Sequence, residues 1–179
     1  MLLKKKSWNW GSNMAIAIVA VDKNWGIGYQ GQLLEHIPED LKHFKDLTNH
    51  GIVIMGRNTW ESLPKKETLP KLPNRLNIIV SNSIMGQIGQ LTYAMSLEDS
   101  IRYIQTFNNT FVIGGGQIYK TLLPYCNQVY VTKIDKTYDN VDTFFPNLDE
   151  SREWKWTKFS PMLLYNDINY QFCRYDRIN

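Results

Sequence analysis

Short apolar runs alternate with amphipathic helical segments along most of the chain. Residues 78–80 and 111–113 are apolar at every position, a pattern typical of strands that are buried on both faces. Strands of this kind, separated by helices, are characteristic of a mainly parallel sheet covered by helices. The predicted strands span residues 15–21, 52–55, 76–80, 110–113 and 128–134, and the predicted helices span residues 38–47, 59–63, 97–107 and 116–123. We therefore predict a single α/β domain.

Two segments near the C-terminus alternate apolar and polar side chains instead. Residues 154–159 and 170–175 show this period of two, and they flank a polar loop that contains Pro161, Asn166 and Asp167. The alternation is typical of antiparallel strands that have one solvated face. We therefore predict an antiparallel hairpin that closes one edge of the sheet.

The first 13 residues precede this pattern. The apolar run 15–21 that follows them is short and partly β-branched, and it leads directly into Asp22, Lys23 and Asn24. It is therefore interpreted as a strand entering a turn rather than as the core of a signal peptide. We expect residues 1–13 to be an extension, disordered or left over from cloning, and the domain to span residues 14–179.

Composition and charge exclude several classes of function. The 179 residues are 43% hydrophobic and 21% charged, and the net charge is +3, which is typical of a soluble globular protein and too mild to indicate nucleic-acid binding. No apolar run has the length of a membrane span, and the two cysteines and three histidines lack the spacing of a metal site. We expect a cytoplasmic monomer with free thiols and small-molecule ligands, and with no metal, nucleic acid or membrane partner.

Asp40 is the first candidate for chemistry. Pro38 suits the first turn of a helix, and in a helix that begins there Asp40, Phe44 and Leu47 share one face, with Leu41 nearby. A carboxylate in an apolar stripe needs a partner or a changed pKa, which suits a site that grips an amidine-like edge and handles one proton. The alternative is structural, because acidic residues favour the first turn of any helix.

Two predicted strand-to-helix junctions carry glycine. Residues 114–116 are three consecutive glycines, and Gly56 precedes Arg57 at the other junction. Glycine lets the backbone approach a phosphate, and a helix N-terminus offers free N–H groups to it. Either junction alone could reflect turn geometry, but the pair favours a dinucleotide, although the spaced GxGxxG fingerprint is absent. The glycine-rich stretch 25–31 is interpreted as a lid or as an ordinary loop.

Eight stretches of the chain carry a more specific signal. They are Ile18-Val19-Ala20, Gly26-Ile27-Gly28, Pro38-Glu39-Asp40-Leu41 with Phe44, Ile54-Met55-Gly56-Arg57-Asn58-Thr59-Trp60-Glu61-Ser62, Leu72-Pro73-Asn74-Arg75-Leu76-Asn77, Val112-Ile113-Gly114-Gly115-Gly116-Gln117-Ile118-Tyr119, Val131-Thr132-Lys133-Ile134 and Asp142-Thr143-Phe144-Phe145-Pro146. In this order and spacing the chain, from Met14 onward, resembles the dihydrofolate reductase family. The resemblance implies a mainly parallel eight-stranded sheet with four helices, and NADPH-dependent reduction of 7,8-dihydrofolate to tetrahydrofolate.

The resemblance also implies roles at the substrate end of the site, which antifolate inhibitors would share. Asp40 would accept hydrogen bonds from the pterin 2-amino group and N3 and would support protonation of N5 through water, so it is the expected catalytic residue. Thr132 would support Asp40, and Arg75 would pair with the carboxylate of the glutamate tail. Ile18, Phe44 and Leu63 would enclose the pterin and aminobenzoyl rings.

For the cofactor, NADPH, the resemblance implies three groups of contacts. Ala20, Ile27 and Gly28 would line the nicotinamide. The junction after the second strand and a later loop would hold the phosphates and adenosine, through Gly56, Arg57, Asn58, Thr59, Ser81 and Asn82. The triple-glycine junction would cradle the pyrophosphate and the nicotinamide side, through Ile113, Gly115, Gly116, Gln117, Ile118 and Tyr119. The family also carries a cis peptide, here expected between Gly114 and Gly115.

Two positions depart from the family pattern. Glu35 stands where relatives carry a tryptophan whose N–H holds an active-site water. If Glu35 points towards Asp40, each carboxylate raises the pKa of the other, and we hypothesise an altered pH dependence and weaker antifolate binding. The alternative is that Glu35 turns to solvent. Gln117 stands where many bacterial relatives have a basic residue near the 2′-phosphate, so Arg57 is the expected source of the preference for NADPH.

Two alternative functions are considered. The riboflavin-pathway reductase shares the fold and the glycine turns, but the Asp40 helix with Phe44, and Arg75, favour a folate enzyme. The second alternative is a folate- or nucleotide-binding module with little turnover, since Glu35 replaces the tryptophan that holds an active-site water in relatives. Retention of Asp40, Thr132 and both glycine junctions favours an enzyme.

Overall fold

The computed structural model describes residues 13–64 and 70–178. The extension predicted for residues 1–13 therefore lies outside the described residues except for Asn13. The side-chain amide of Asn13 donates a hydrogen bond to the carbonyl oxygen of Thr106 at 2.9 Å. This contact joins the start of the described chain to the end of a helix.

The described chain alternates strands and helices in the predicted order. The strands are β1 (Ala15–Val21), β2 (Gly26–Tyr29), β3 (Gln32–Leu33), β4 (Ile52–Gly56), β5 (Leu76–Val80), β6 (Gly86–Gly89), β7 (Thr92–Met95), β8 (Thr110–Gly114), β9 (Cys126–Ile134), β10 (Thr143–Phe144), β11 (Trp154–Phe159), β12 (Leu163–Tyr165) and β13 (Ile168–Arg177). The helices are α1 (Pro38–Thr48), α2 (Arg57–Ser62), α3 (Leu97–Thr106) and α4 (Gly116–Leu122), which continues as a short 3₁₀ turn.

The main sheet has the order β11-β13-β9-β1-β8-β4-β5-β7-β6, with β12 paired to β13. The six strands from β9 to β7 run parallel to their neighbours, whereas β13 and β11 are antiparallel. The mainly parallel sheet, the four helices and the antiparallel C-terminal edge are therefore confirmed. The sheet contains ten strands because β6 and β12, which are short and antiparallel, extend the expected eight.

The predicted elements form where their local patterns are strong. The buried strands β4, β5 and β8 are apolar on both faces, as expected for strands with helices above and below. The helix α3 begins at a Ser96 cap whose side chain accepts from the backbone N–H of Asp99, which satisfies one free N–H of the first turn. Helix α2 begins two residues earlier than predicted, because Gly56 rather than Asn58 is its N-cap.

A second, three-stranded sheet lies beside the main one, in the order β10-β2-β3. It contains the stretch 25–31, which was predicted as a lid or an ordinary loop. Gly28 is close-packed there, because a Cβ at this position would lie 2.7 Å from the carbonyl oxygen of Gln32. Ile27 and Gly28, two of the residues expected to line a nicotinamide, therefore lie on a small sheet, whereas the third, Ala20, lies in β1.

The apolar core lies between the main sheet and the helices. Its largest cluster includes Val19, Ile54, Val112 and Leu122 from both the sheet and α4. Among the helices of the described residues, none is long and apolar enough to cross a membrane. Within the same residues, no group of three or more His, Cys, Asp or Glu side chains could hold a metal ion.

Candidate active site

Asp40 lies in the first turn of α1 and faces strand β9. The hydroxyl of Thr132, which is buried in β9, donates a hydrogen bond to Oδ1 of Asp40 at 2.5 Å. Burial raises the pKa of Asp40 above its ordinary value, and the Thr132 hydrogen bond and the charge of His43 act in the opposite direction. The carboxyl group is thus a single, partly desolvated acid with one fixed hydrogen bond, as a site for proton handling requires.

The face of α1 that carries Asp40 follows the predicted periodicity. Phe44 and Leu47 are partly buried with Asp40, as the periodicity indicated. Leu41, which was expected nearby, is 45% exposed, and its place beside this face stays a prediction. The reason for this exposure is geometric, because a residue one position after Asp40 is rotated by about 100° around the helix axis.

Arg75 is buried near the other end of α1. Its guanidinium donates to the hydroxyl of Thr48 at 3.1 Å and to the carbonyl oxygen of Pro73 at 2.9 Å. It also lies 5.8 Å from the ring centroid of Phe44. Burial lowers the pKa of Arg75, and no carboxylate pairs with it among the described residues. A buried cation of this kind favours an incoming carboxylate.

The apolar residues predicted for the site belong to two packed clusters. Ile18, Leu63 and Ile113, from three different elements, pack against one cluster with Met55 and Phe111. Ala20 packs against a separate cluster with Ile37. The residues predicted to enclose the pterin and aminobenzoyl rings therefore come from three elements, with Ile18 in β1, Phe44 in α1 and Leu63 at the end of α2.

The two glycine junctions lie side by side. Strands β4 and β8 are paired, with Met55 opposite Gly114. A Cβ at Gly56 would lie 2.9 Å from Cγ1 of Ile118, and a Cβ at Gly115 would lie 3.1 Å from Oγ1 of Thr59. Each glycine therefore permits close approach of the other junction, and both helix N-termini open onto the same sheet edge. The pair fits a dinucleotide better than two isolated turns would.

The triple-glycine junction also joins the cofactor side to β1. The peptide bond between Gly114 and Gly115 is cis, as expected. The hydroxyl of Tyr119 donates to the carbonyl oxygen of Ile18 at 2.6 Å. Burial and then the nearby charge of Asp40 raise the pKa of Tyr119. Tyr119 is therefore a buried link between α4 and β1, and its contact with the cofactor stays a prediction.

A third group of cofactor candidates lies at the end of β5. Ser81 is buried, and its hydroxyl oxygen accepts from the N–H groups of Ser83 and Ile84 at 3.2 Å and 3.1 Å. The guanidinium of Arg57 reaches the same loop, with a 3.3 Å hydrogen bond to the hydroxyl of Ser83 and an ion pair to Glu61 at 2.6 Å. Because Arg57 is exposed, it is available to an anionic group that replaces the Glu61 contact. Asn58, Asn82 and Gln117 are exposed.

The segment that contains Ile27 and Gly28, which are predicted to line the nicotinamide, is bound to Asp142, just before β10. The carboxylate of Asp142 accepts from the backbone N–H of Gln30 at 2.8 Å, and the backbone N–H of Asp142 donates to the carbonyl oxygen of Gly28 at 3.1 Å. Ile27, on the same small sheet, packs against the main core cluster. Gly28 and Ile27 are thus fixed next to β1 and α4.

Glu35 adopts neither of the two orientations predicted for it. Its carboxylate accepts a hydrogen bond from the hydroxyl of Tyr138 at 2.8 Å and lies 3.9 Å from the ammonium of Lys136. Its side chain is only 25% exposed, so it does not turn to solvent. It is held by residues of the loop between β9 and β10, and Asp40 has a different partner, Thr132.

Two residues of this region were missed by sequence reasoning. Tyr138, which binds Glu35, lies 103 residues further along the chain, and nothing in the local pattern links the two. His43, one turn after Asp40, was considered only as a metal ligand. Its spacing from Asp40 on a predicted helix was the available signal, because residues three apart are neighbours on a helix surface.

Comparisons with known proteins agree on one family. The family profile described as dihydrofolate reductase matches residues 14–177. The dihydrofolate reductase of Bacillus subtilis is 36% identical over 164 residues, covering 90% of this chain and 94% of that protein. That of Buchnera aphidicola is 39% identical over 158 residues, covering 87% and 94%. The bifunctional dihydrofolate reductase-thymidylate synthase of Daucus carota is 38% identical over 179 residues, but this chain spans only 33% of its length.

A solved structure gives the same result. The dihydrofolate reductase of Enterococcus faecalis, complexed with NADP(H) and RAB-propyl, superposes with a TM-score of 0.77 at 31% identity, covering 93% of this chain and 97% of that one. This chain belongs to the dihydrofolate reductase family, the NADPH-dependent enzymes that reduce dihydrofolate to tetrahydrofolate.

Proposed function

We propose that this chain reduces 7,8-dihydrofolate with NADPH and that Asp40 handles the proton side of the reaction. The observation that carries the proposal is the hydrogen bond from Thr132 to a partly desolvated Asp40 at the sheet edge. This edge also carries the two paired glycine junctions. One acid and one dinucleotide cradle are the two parts that a hydride-plus-proton reduction requires.

Reduction of the N5–C6 double bond places a hydride on C6 and a proton on N5. NADPH, when bound, supplies the hydride from its nicotinamide ring. Asp40 accepts hydrogen bonds from the 2-amino group and N3 of the pterin, and these bonds orient the ring. The negative charge of Asp40 also favours protonation of N5, with the proton delivered through water. Thr132 fixes the rotamer of Asp40, since a buried acid without a fixed partner would lose orientation.

The remaining substrate contacts follow from charge and shape. Arg75 binds the carboxylate of the glutamate tail, because its guanidinium is buried and has only neutral oxygen partners. Phe44, which lies beneath that guanidinium, contacts the aminobenzoyl ring together with Leu63. Ile18 supports the pterin ring from β1. An antifolate with an amidine-like edge would bind Asp40 in the same way.

The cofactor contacts follow the two junctions and the small sheet. Ala20, Ile27 and Gly28 line the nicotinamide. Arg57 and the N-terminus of α2 bind the phosphate that distinguishes NADPH from NADH, because Arg57 is the exposed cation at that junction. The N-terminus of α4 and the Gly115–Gly116 backbone contact the pyrophosphate. The chain acts in the cytoplasm as a monomer. Sedimentation of the purified protein would test the monomeric state.

The direct test is consumption of NADPH in the presence of dihydrofolate, measured by absorbance for the wild-type protein and Asp40→Asn. The proposal predicts turnover that falls at least tenfold in Asp40→Asn, with NADPH binding retained when it is measured separately by fluorescence. NADPH binding without turnover in the wild-type protein would instead indicate the binding-module alternative.

A further inference from the structure

His43 lies one helical turn after Asp40 on α1 and packs onto the same part of the sheet. Its imidazole is partly buried, with its ring centroid 4.3 Å from that of Phe172 and 6.3 Å from that of Tyr130. Residues three apart on a helix have neighbouring side chains. His43 and Asp40 therefore face the same two strands, β9 and β13.

The strand register places these contacts around Thr132. Phe172 is paired with Thr132 across β13 and β9. Tyr130 lies two residues before Thr132 in β9, so their side chains share one face of the sheet. Phe172 and Tyr130, which contact His43, are thus immediate neighbours of Thr132. Thr132 is in turn the residue that binds Asp40. The two ring contacts hold the imidazole against the same part of the sheet that binds the carboxylate.

We infer that His43 is a positioning residue for the Asp40 carboxylate. Its ionisable imidazole is held one helical turn from Asp40 and acts on the carboxylate through its charge. The inference rests on the role proposed for Asp40 and adds a control on its protonation. The aromatic pair keeps the imidazole in place, and the side chain needs no contact with substrate or cofactor. Glu35, the other ionisable side chain that was a candidate for this influence, is bound to Tyr138 instead.

The direction of the effect follows from the groups around both side chains. Burial lowers the pKa of His43, Asp40 and Asp46 act to raise it, and Lys42 acts to lower it. Burial raises the pKa of Asp40, and the Thr132 hydrogen bond and His43 act to lower it. The other ionisable groups nearby are Tyr130 with its neighbour Arg174 on the sheet, and Tyr170 and Glu39 near Asp40.

The two shifts bring the titrations of His43 and Asp40 closer together. Acidification gives His43 a positive charge and favours protonation of Asp40. The positive charge opposes that protonation, so the carboxylate persists to lower pH than it would alone. The site therefore retains its grip on an amidine-like edge under more acidic conditions.

The test compares a neutral and a permanently charged replacement. The carboxyl carbon of Asp40 is followed by ¹³C NMR as a function of pH in the wild-type protein, His43→Gln and His43→Lys, with Asp40→Asn to assign the signal. Removal of the charge in His43→Gln should move the Asp40 titration to higher pH, and the fixed charge in His43→Lys should move it to lower pH. A unit charge one helical turn away changes a protonation equilibrium by about threefold.

The matched control is His50→Asn, an exposed residue just beyond the C-terminus of α1. His50 has a φ of 58°, a conformation that asparagine tolerates, and its replacement should leave the Asp40 titration unchanged. The pH profiles of turnover should move in the same directions as the NMR titrations. Equal shifts of the same sign in both His43 variants, or none in either, would overturn the inference. Failure of the proposed function would give a different result. The wild-type protein would then show no turnover, while the Asp40 titration would still move in opposite directions in His43→Gln and His43→Lys.

Discussion

The hydroxyl of Thr132 donates to Oδ1 of Asp40 at 2.5 Å, joining α1 to the middle of the sheet across 92 residues of sequence. Thr132 is buried, so water does not readily replace its hydroxyl. The contact favours the ionised form of Asp40, whereas burial favours the neutral form. The protonation of Asp40 is therefore a balance between these two opposing influences.

Replacement of Thr132 by valine should disturb this balance. Valine keeps the shape of threonine but cannot donate, so the pKa of Asp40 should rise and kcat/KM for dihydrofolate should fall by about tenfold, the usual scale for a hydrogen bond to a charged group. The pH profile of turnover provides the measurement. Thr106→Val is the control, because Thr106 is exposed at the end of α3. An unchanged profile in Thr132→Val would contradict the role of this hydrogen bond.

Asp40 should also reduce the stability of the folded protein at neutral pH. Its pKa is raised above 3.8 in the folded state, so the folded protein binds more protons than the unfolded chain between the two values. Stability therefore decreases as pH rises through that window and stays lower above it. Asp40→Asn should stabilise the protein by about 1 kcal/mol at neutral pH. Urea denaturation would show this gain diminishing in acid, and a gain that is independent of pH would exclude titration as its cause.

The Glu35–Tyr138 contact predicts a separation between stability and catalysis. Loss of the 2.8 Å hydrogen bond in Tyr138→Phe should destabilise the protein by about 1 kcal/mol. Glu35→Gln should not change the pH profile of turnover, because the Glu35 carboxylate is bound to Tyr138 in the β9–β10 loop and Asp40 has a different partner, Thr132. Chemical denaturation and steady-state kinetics of the two variants measure these effects. A shifted pH profile in Glu35→Gln would restore the hypothesis that the two carboxylates interact.

Close packing of the glycine junctions should control cofactor binding. An alanine at position 56 would place its Cβ 2.9 Å from Cγ1 of Ile118, so the two junctions would have to separate. We expect Gly56→Ala to weaken NADPH binding by about tenfold, the equivalent of roughly 1.4 kcal/mol. The double variant Gly56→Ala with Ile118→Ala removes the contacting atom and should recover part of the loss in a fluorescence titration. A double variant as weak as Gly56→Ala alone would show that this contact is not the cause.

Arg75 should discriminate substrates by their tails. Arg75→Lys loses the two-pronged geometry that suits a carboxylate, so KM for dihydrofolate should rise about tenfold while a dihydropterin that lacks glutamate should be unaffected. Steady-state kinetics with both substrates provide the comparison. Arg102→Lys, on the exposed surface of α3, is the control. Equal losses for both substrates would indicate a structural role for Arg75.

The elements predicted from sequence were those whose signals are local. The strands β1, β4, β5 and β8 contain continuous apolar runs, and such runs identify buried strands without knowledge of their partners. Strands β2, β3, β6, β7, β10 and β12 were missed because they are two to four residues long, and segments this short carry little periodicity of their own.

The site shows the same division between local and distant signals. The glycine junctions and the first-turn position of Asp40 are visible in short stretches of sequence. The partner of Glu35 is not, since Tyr138 belongs to a loop whose position depends on the completed sheet. Likewise, the aromatic rings around His43 come from two strands that meet only in the fold.

The most direct test of the role of Asp40 is the single-turnover rate of NADPH oxidation by bound dihydrofolate, measured across pH for the wild-type protein and Asp40→Asn. If Asp40 supplies the route for the N5 proton, the deficit of Asp40→Asn should be largest at high pH and should shrink in acid, where solvent protonates the substrate. A deficit of the same size at every pH would contradict this account, because Asp40 would then only bind the pterin.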